Sequence, residues 1–185
     1  KLIGYEPRHY ESAIVDISID NKGTQPITLP AYTAFTNNMK DIYYYNIEEY
    51  VLQPGKNNIK AYEGKKVQFK FNFNDITTEG TLILDSYDLG SNTFTVSQGG
   101  NVFNHIENAL YGESESCYSI HLNSENSLYI QFPPYWSNFI SNSPITVDCL
   151  ISSGVKGRIG SGILSGTFLV ESQSVSYNNE SASEG

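Results

Sequence analysis

The chain has 185 residues, enough for one large domain or two small ones with a self-sufficient core. Charged residues make up only 17% of it and aromatic residues 13%, a composition too apolar and too aromatic for intrinsic disorder. Eleven Lys and Arg against 20 Asp and Glu leave a net charge of −9, which disfavours a nucleic-acid partner and an anionic membrane surface alike.

That charge is unevenly placed. Residues 1–70 carry nine cations and eight carboxylates, and residues 71–155 carry nine carboxylates and no Lys or Arg. The middle of the chain therefore holds the net charge. In an acidic medium its carboxylates are partly protonated, which lowers repulsion between packed subunits.

In chain order, residues 1–11 read as an extended segment in which Leu2, Ile3 and Tyr5 precede the first convincing strand. Period-2 alternation then dominates. Ala13, Val15, Ile17 and Ile19 alternate with Ile14, Asp16, Ser18 and Asp20, and Asn21-Lys22-Gly23 supplies a turn. A Pro54-Gly55 turn follows. Val67, Phe69, Phe71 and Phe73 then alternate with Gln68, Lys70 and Asn72, the pattern of a half-buried strand. Val102–Leu110 is the one helical candidate, a turn or two at most. Tyr118, Ile120 and Leu122 face one way, with Cys117, Ser119 and His121 opposite. Leu128, Ile130 and Phe132 form a strand stopped by Pro133-Pro134, and Ile145, Val147, Cys149 and Ile151 form another. About ten short strands with turn signals between them, such as Gln98-Gly99-Gly100-Asn101, predict an all-β, antiparallel sandwich of immunoglobulin-like or jelly-roll type. The expected layout is a sandwich over residues 12–177, with a possible subdivision near residue 75, and a polar tail over 178–185.

Val15–Gly23, Pro26-Ile27, Leu52-Gln53-Pro54-Gly55-Lys56 and Val67–Phe73 together resemble small immunoglobulin-like domains of prokaryotic cell-surface and secreted proteins. The resemblance covers residues 12–73 and implies a sandwich fold and a surface location. It transfers no functional residue, because members of that family differ widely in function.

Candidate chemistry is sparse. Gly160-Ser161-Gly162-Ile163-Leu164-Ser165-Gly166 has dinucleotide-loop spacing but lacks the strand before it and the helix after it, so a loop or bulged edge strand is the expectation. His9, His105 and His121 lack metal-ligand spacing, and no metal site or cofactor is expected. Cys117 and His121 share a strand face without an orienting acid, and no other nucleophile motif occurs, so the protein is expected not to be an enzyme. Cys117 and Cys149 could form a disulfide, although two cysteines in a chain this long favour buried free thiols. Asn179-Glu180-Ser181 is a possible N-glycosylation sequon. Pro133-Pro134-Tyr135-Trp136 and Tyr43-Tyr44-Tyr45 concentrate the aromatics. Tyr135 and Trp136 are candidates for stacking on sugars, against the alternative that they cover the sandwich ends or fill a subunit interface.

The lysine at position 1 and the Ser/Thr/Asn/Tyr-rich composition suggest an extracellular protein after removal of a secretory signal, with no membrane insertion of this chain. The leading expectation is a structural subunit of a pilus-like surface filament that polymerises with itself. Leu2, Ile3 and Tyr5 would supply a donor strand to a neighbouring copy. The alternatives are an adhesin binding surface glycans and a viral capsid-type sandwich.

Overall fold

The alternation around Val15, Ile17 and Ile19 becomes the central ladder of the fold. In a computed structural model these side chains are 2%, 0% and 0% exposed, and Asp16, between them, faces solvent. The structure describes residues 11–84, 88–112, 116–125 and 127–184. It is all-β, 47% strand, with several mainly antiparallel sheets in a sandwich-like arrangement and no helix of seven residues or more.

The chain forms two compact units. One is discontinuous, Glu11–Lys66 with Leu150–Gly185, and the other, which among the described residues runs from Val67 to Cys149, is inserted into it. The division therefore falls at 66/67 and 149/150 rather than near 75. A linker-based reading misses it because the chain passes between units in extended strands, with no Pro- or Ser-rich stretch to mark the passage.

The discontinuous unit begins with β1 (Ile14–Asn21), β2 (Ile27–Leu29), β3 (Ala34–Thr36), β4 (Tyr43–Tyr45), β5 (Tyr50–Leu52) and β6 (Gly55–Glu63). β1 pairs antiparallel with β6 over its whole length, from Ile14 opposite Tyr62 to Asn21 opposite Gly55. The predicted turn after β1 is held by Asn21, whose side-chain oxygen accepts from Gly23 N–H at 2.9 Å while its Nδ2 donates to the carbonyls of Gln25 and Leu52. β2 and β5 form a separate two-stranded pair.

The inserted unit holds most of β7 (Lys65–Phe71) and of β14 (Ile145–Ile151), with β8 (Thr81–Leu84), β9 (Thr95–Gln98), β10 (Asn101–Val102), β11 (Asn104–His105), β12 (Cys117–Leu122) and β13 (Leu128–Gln131) between them. They make two four-stranded sheets, ordered β10-β9-β14-β7 and β11-β12-β13-β8. Leu82, Leu84, Val96, Ile130, Phe132, Ile145 and Val147 are fully buried in this unit. The β9–β10 hairpin turns at Gly99-Gly100, with φ of 58° and 86°, as a two-residue turn requires. The helical expectation over Val102–Leu110 is corrected. That stretch holds two short strands, and only a 3-10 turn at Ala109–Tyr111 follows them.

The chain then returns to the discontinuous unit through a 3-10 turn at Gly154–Gly157, β15 (Ser165–Val170) and β16 (Gln173–Asn178). The glycine-rich stretch thus leads into an outer strand, as expected. The main sheet has the order β15-β16-β1-β6-β4-β3. Its two outer strands meet where Phe35 packs edge-on to Phe168 at 6.1 Å and to Tyr177 at 5.1 Å, so the sheet curls over its own core. Tyr177 Oη donates to the Thr36 carbonyl and accepts its N–H, fastening the same closure. The C-terminal tail is no loose appendage. Ile14 and Glu184 exchange two main-chain bonds of 2.7 Å, and Ser183 N–H donates to the Ile159 carbonyl. Polarity misleads there because the anchors are main-chain groups.

Candidate functional site

Trp136 is a core residue and not a sugar-stacking surface. It lies in a 3-10 turn, is 8% exposed, and its ring centroid is 5.1 Å from that of Phe73. Gly80, at φ +78°, makes room for it, since a Cβ there would lie 2.6 Å from Trp136 Cδ1. Tyr135 keeps partial exposure at 36%, but its Oη donates to the Gly112 carbonyl at 2.8 Å and its ring packs edge-on to Phe139. The pair therefore closes one end of the inserted unit's core, and two hydrophobic neighbours in sequence acquire unequal exposure from the turn that carries them.

Cys117 and Cys149 are both buried, and no disulfide joins them. Burial pushes the Cys117 thiol up, and burial followed by the nearby Asp148 carboxylate pushes Cys149 up to about 12. Both thiols are therefore neutral at physiological pH and poor nucleophiles. His121 Nε2 lies 2.7 Å from Ser119 Oγ, within hydrogen-bond distance, and Ser119 Oγ also accepts the Ala109 N–H. Ser119 is fully buried, and its bonds hold the 3-10 turn against β12. Desolvation beside Tyr118, followed by the nearby His121, lowers the His105 pKa. Among the described residues no group of three or more His, Cys, Asp or Glu is placed to hold a metal ion.

Asn179 carries the sequon, yet its side chain is fully buried. Its Nδ2 donates to the carbonyls of Gly160 and Ser181, and its Oδ1 accepts from Leu164 N–H. A glycan on Nδ2 is incompatible with this bonding, which fixes the loop ahead of β15 against the chain end. The donor-strand candidates Leu2, Ile3 and Tyr5 lie outside the described residues, as does His9.

Two surfaces remain that can engage a partner. The first is the outer strand β7. Val67, Phe69, Phe71 and, just beyond the strand, Phe73 recur every second residue, and all four stay half-buried, while Gln68, Lys70 and Asn72 are exposed. Phe69 and Phe71 stack with centroids 6.3 Å apart. On the opposite face Gln68 Nε2 donates to Asp148 of β14 at 3.0 Å. Among the described residues β7 is the last strand of its sheet, so an apolar stripe runs along a sheet edge.

The second surface lies on β4 and β6. Tyr44 is fully buried and donates to the Gly157 carbonyl at 2.7 Å, so its neighbours must point the other way. Tyr43 and Tyr45 stack with centroids 6.5 Å apart and planes inclined by only 17°, and Tyr62 lies directly opposite Tyr45 across the ladder. Burial, then Tyr43, raises the Tyr45 pKa, and burial, then Tyr50 and Glu48, raises that of Tyr62. These phenols therefore stay neutral. The triple tyrosine was visible in the sequence, but Tyr62 joins it only through strand register.

No protein-family model matches the chain, and no curated protein matches it. Among solved structures, the crystal structure of the N-terminal domain of a Streptococcus gordonii adhesin is similar to it, with 11% identity and a TM-score of 0.30. The similarity covers 95% of this chain and 57% of that one, so the chain spans little more than half of that structure.

Proposed function

We propose that the protein is a non-enzymatic structural subunit of an extracellular surface polymer, assembled by addition of a β-strand to the outer edge of β7. The observation that carries this reading is the half-buried stripe of Val67, Phe69 and Phe71 on a strand that is, among the described residues, the last of its sheet. A long apolar edge is an aggregation hazard unless a specific strand covers it. Strand addition would satisfy both halves of that surface, with main-chain bonds along the edge and apolar contacts along the stripe. The C-terminal tail is engaged with β1 of its own chain, so the donor is taken from the other end, the segment 1–11 of a neighbouring copy. A contact repeated head to tail builds an open filament. The Lys-poor, Tyr- and Ser-rich composition supports an extracellular setting.

Negative-stain electron microscopy of the full chain and of a variant lacking residues 1–10 tests the mechanism. Filaments from the full chain and folded monomers from the deletion are expected. Filaments that persist after deletion would overturn it, and closed shells would point to a capsid-type sandwich. A second reading rests on the Tyr43, Tyr45 and Tyr62 platform, whose two nearly parallel rings suit stacking on successive sugars of a surface glycan.

A further inference from the structure

The alternation that buries Val15, Ile17 and Ile19 sends Asp16, Ser18 and Asp20 to the other face of the main sheet. Strand pairing extends that face sideways. Asn58 of β6 and Asn178 of β16 lie directly opposite Ser18, and Lys56 and Ser176 lie opposite Asp20. Ser165 and Thr167 of β15 continue the two rows beyond β16. Polar side chains thus form a band four strands wide. Within it lies a cavity of about 310 Å³ whose polar lining comes from Ser18, Asp20, Lys56, Ser176, Asn178 and Glu180. We infer that this cavity takes the hydroxyl groups of a neutral oligosaccharide, whose adjoining sugars lie on the tyrosine platform of the same sheet face. The choice of a glycan rests on the platform reading above, and the cavity adds the contacts that read hydroxyls.

Platform and cavity share one strand. Tyr62 and Lys56 both stand at outward positions of β6, so about 20 Å of strand separates the two ends of the site. Between them Lys60 and Asp16 pair across the same face at 3.5 Å. All of these residues belong to the discontinuous unit. The chemistry of the lining selects the ligand. β16, β1 and β6 are interior strands with a neighbour on either side, so a ligand here meets side chains and not a free sheet edge. An added peptide strand would find no ladder to join. A sugar hydroxyl both donates and accepts. The cavity offers acceptors on Asp20 and Glu180, donors on Lys56, and both on Ser18, Ser176 and Asn178. Among the described residues no hydrogen bond engages the side chains of Ser18, Lys56, Ser176 or Asn178, so their capacity is open to a ligand. Lys22 pairs with Asp20, so two ammonium groups match the two carboxylates. No positive excess is left to draw a sialylated or sulfated sugar. At the other end the nearly parallel Tyr43 and Tyr45 rings present apolar faces, which suit the C–H face of a sugar.

A glycan microarray carrying neutral, sialylated and sulfated oligosaccharides tests the cavity and the platform separately. Lys56→Ala and Asn178→Ala remove cavity contacts from the full chain, and Tyr45→Ala removes part of the platform. Neutral oligosaccharides are expected to bind, and each variant to weaken them at least about tenfold. Thermal stability is expected to stay level in the two cavity variants, because Lys56 and Asn178 are exposed. Weakening by Tyr45→Ala alone would overturn the cavity as a site and leave the platform standing. Weakening by the two cavity variants alone would uphold the cavity and overturn the platform's part. Preferential binding of sialylated or sulfated glycans would overturn the neutral ligand. Binding to no glycan would overturn cavity and platform together.

Discussion

At the scale of single residues, aromatic character does not distinguish a binding side chain from a packing one. Trp136 is buried against Phe73 and sits in the space that Gly80 leaves open, so its loss opens a cavity. Trp136→Ala is expected to cost about 3–5 kcal/mol of stability, read from urea denaturation midpoints, the usual range for a large aromatic in a core. A change within a few tenths of a kcal/mol would mean that the ring does not pack as described. Asn179 teaches the same lesson for polar residues. A sequon in a Ser- and Asn-rich tail suggests an exposed acceptor, yet the side chain is buried and bonded to three main-chain groups, with both Nδ2 hydrogens donated. Cys149 is the opposite case. Its burial follows from strand alternation, because it lies in phase with Ile145 and Val147, which are fully buried.

At the scale of elements, the alternating strands were the most legible part of the chain. β1 was readable because its buried and exposed residues differ sharply in polarity, and the turn after it because Asn21 and Gly23 are turn formers. The β15–β16 hairpin was not, since its two-residue turn is Glu171-Ser172, both at positive φ where Asn-Gly would be the usual signal. β7 was readable as half-buried but not as the last described strand of its sheet, because alternation reports which face a side chain takes and not what lies beside the strand. The tyrosine platform is likewise a product of register, since Tyr62 is 17 residues from Tyr45 and meets it only when β6 pairs with β4. If that platform binds glycans, Tyr43→Ala and Tyr45→Ala should each weaken glycan-array signals at least about tenfold while thermal stability changes little. Both variants point away from the buried Tyr44. Equal binding by both variants would remove the platform from consideration.

At the scale of the whole molecule, the buried weak acids make stability depend on pH in a definite direction. The thiols of Cys117 and Cys149 and the phenols of Tyr44 and Tyr118 all have pKa values raised, first by burial. In the unfolded chain a thiol ionises near ~8.5, whereas folded Cys149 holds its proton up to about 12. The contribution of each group is thus complete below its unfolded pKa and is lost as pH rises toward the folded one. For Cys149 the slope approaches about 1.4 kcal/mol per pH unit over that window. Urea midpoints are therefore expected to fall between pH 8 and pH 10.5, and a midpoint that stays level or rises would contradict the burial of these groups.

The sequence by itself determined the all-β class, the places where short turn formers end strands, and the uneven charge that leaves one stretch acidic. These follow from local chemistry, since period-2 alternation and turn propensity act over a few residues. Only the tertiary structure decided that the acidic stretch from Val67 to Cys149 is largely a separate unit inserted into another, and that its one internal cation stands on a strand that is the last of its sheet among the described residues. The same holds for Trp136 and Asn179, which are spent on the interior, and for the tail, which is tied to β1. Each of those outcomes depends on partners far away in the chain. Burial is a property of what packs on a residue, and no stretch of sequence carries that information alone.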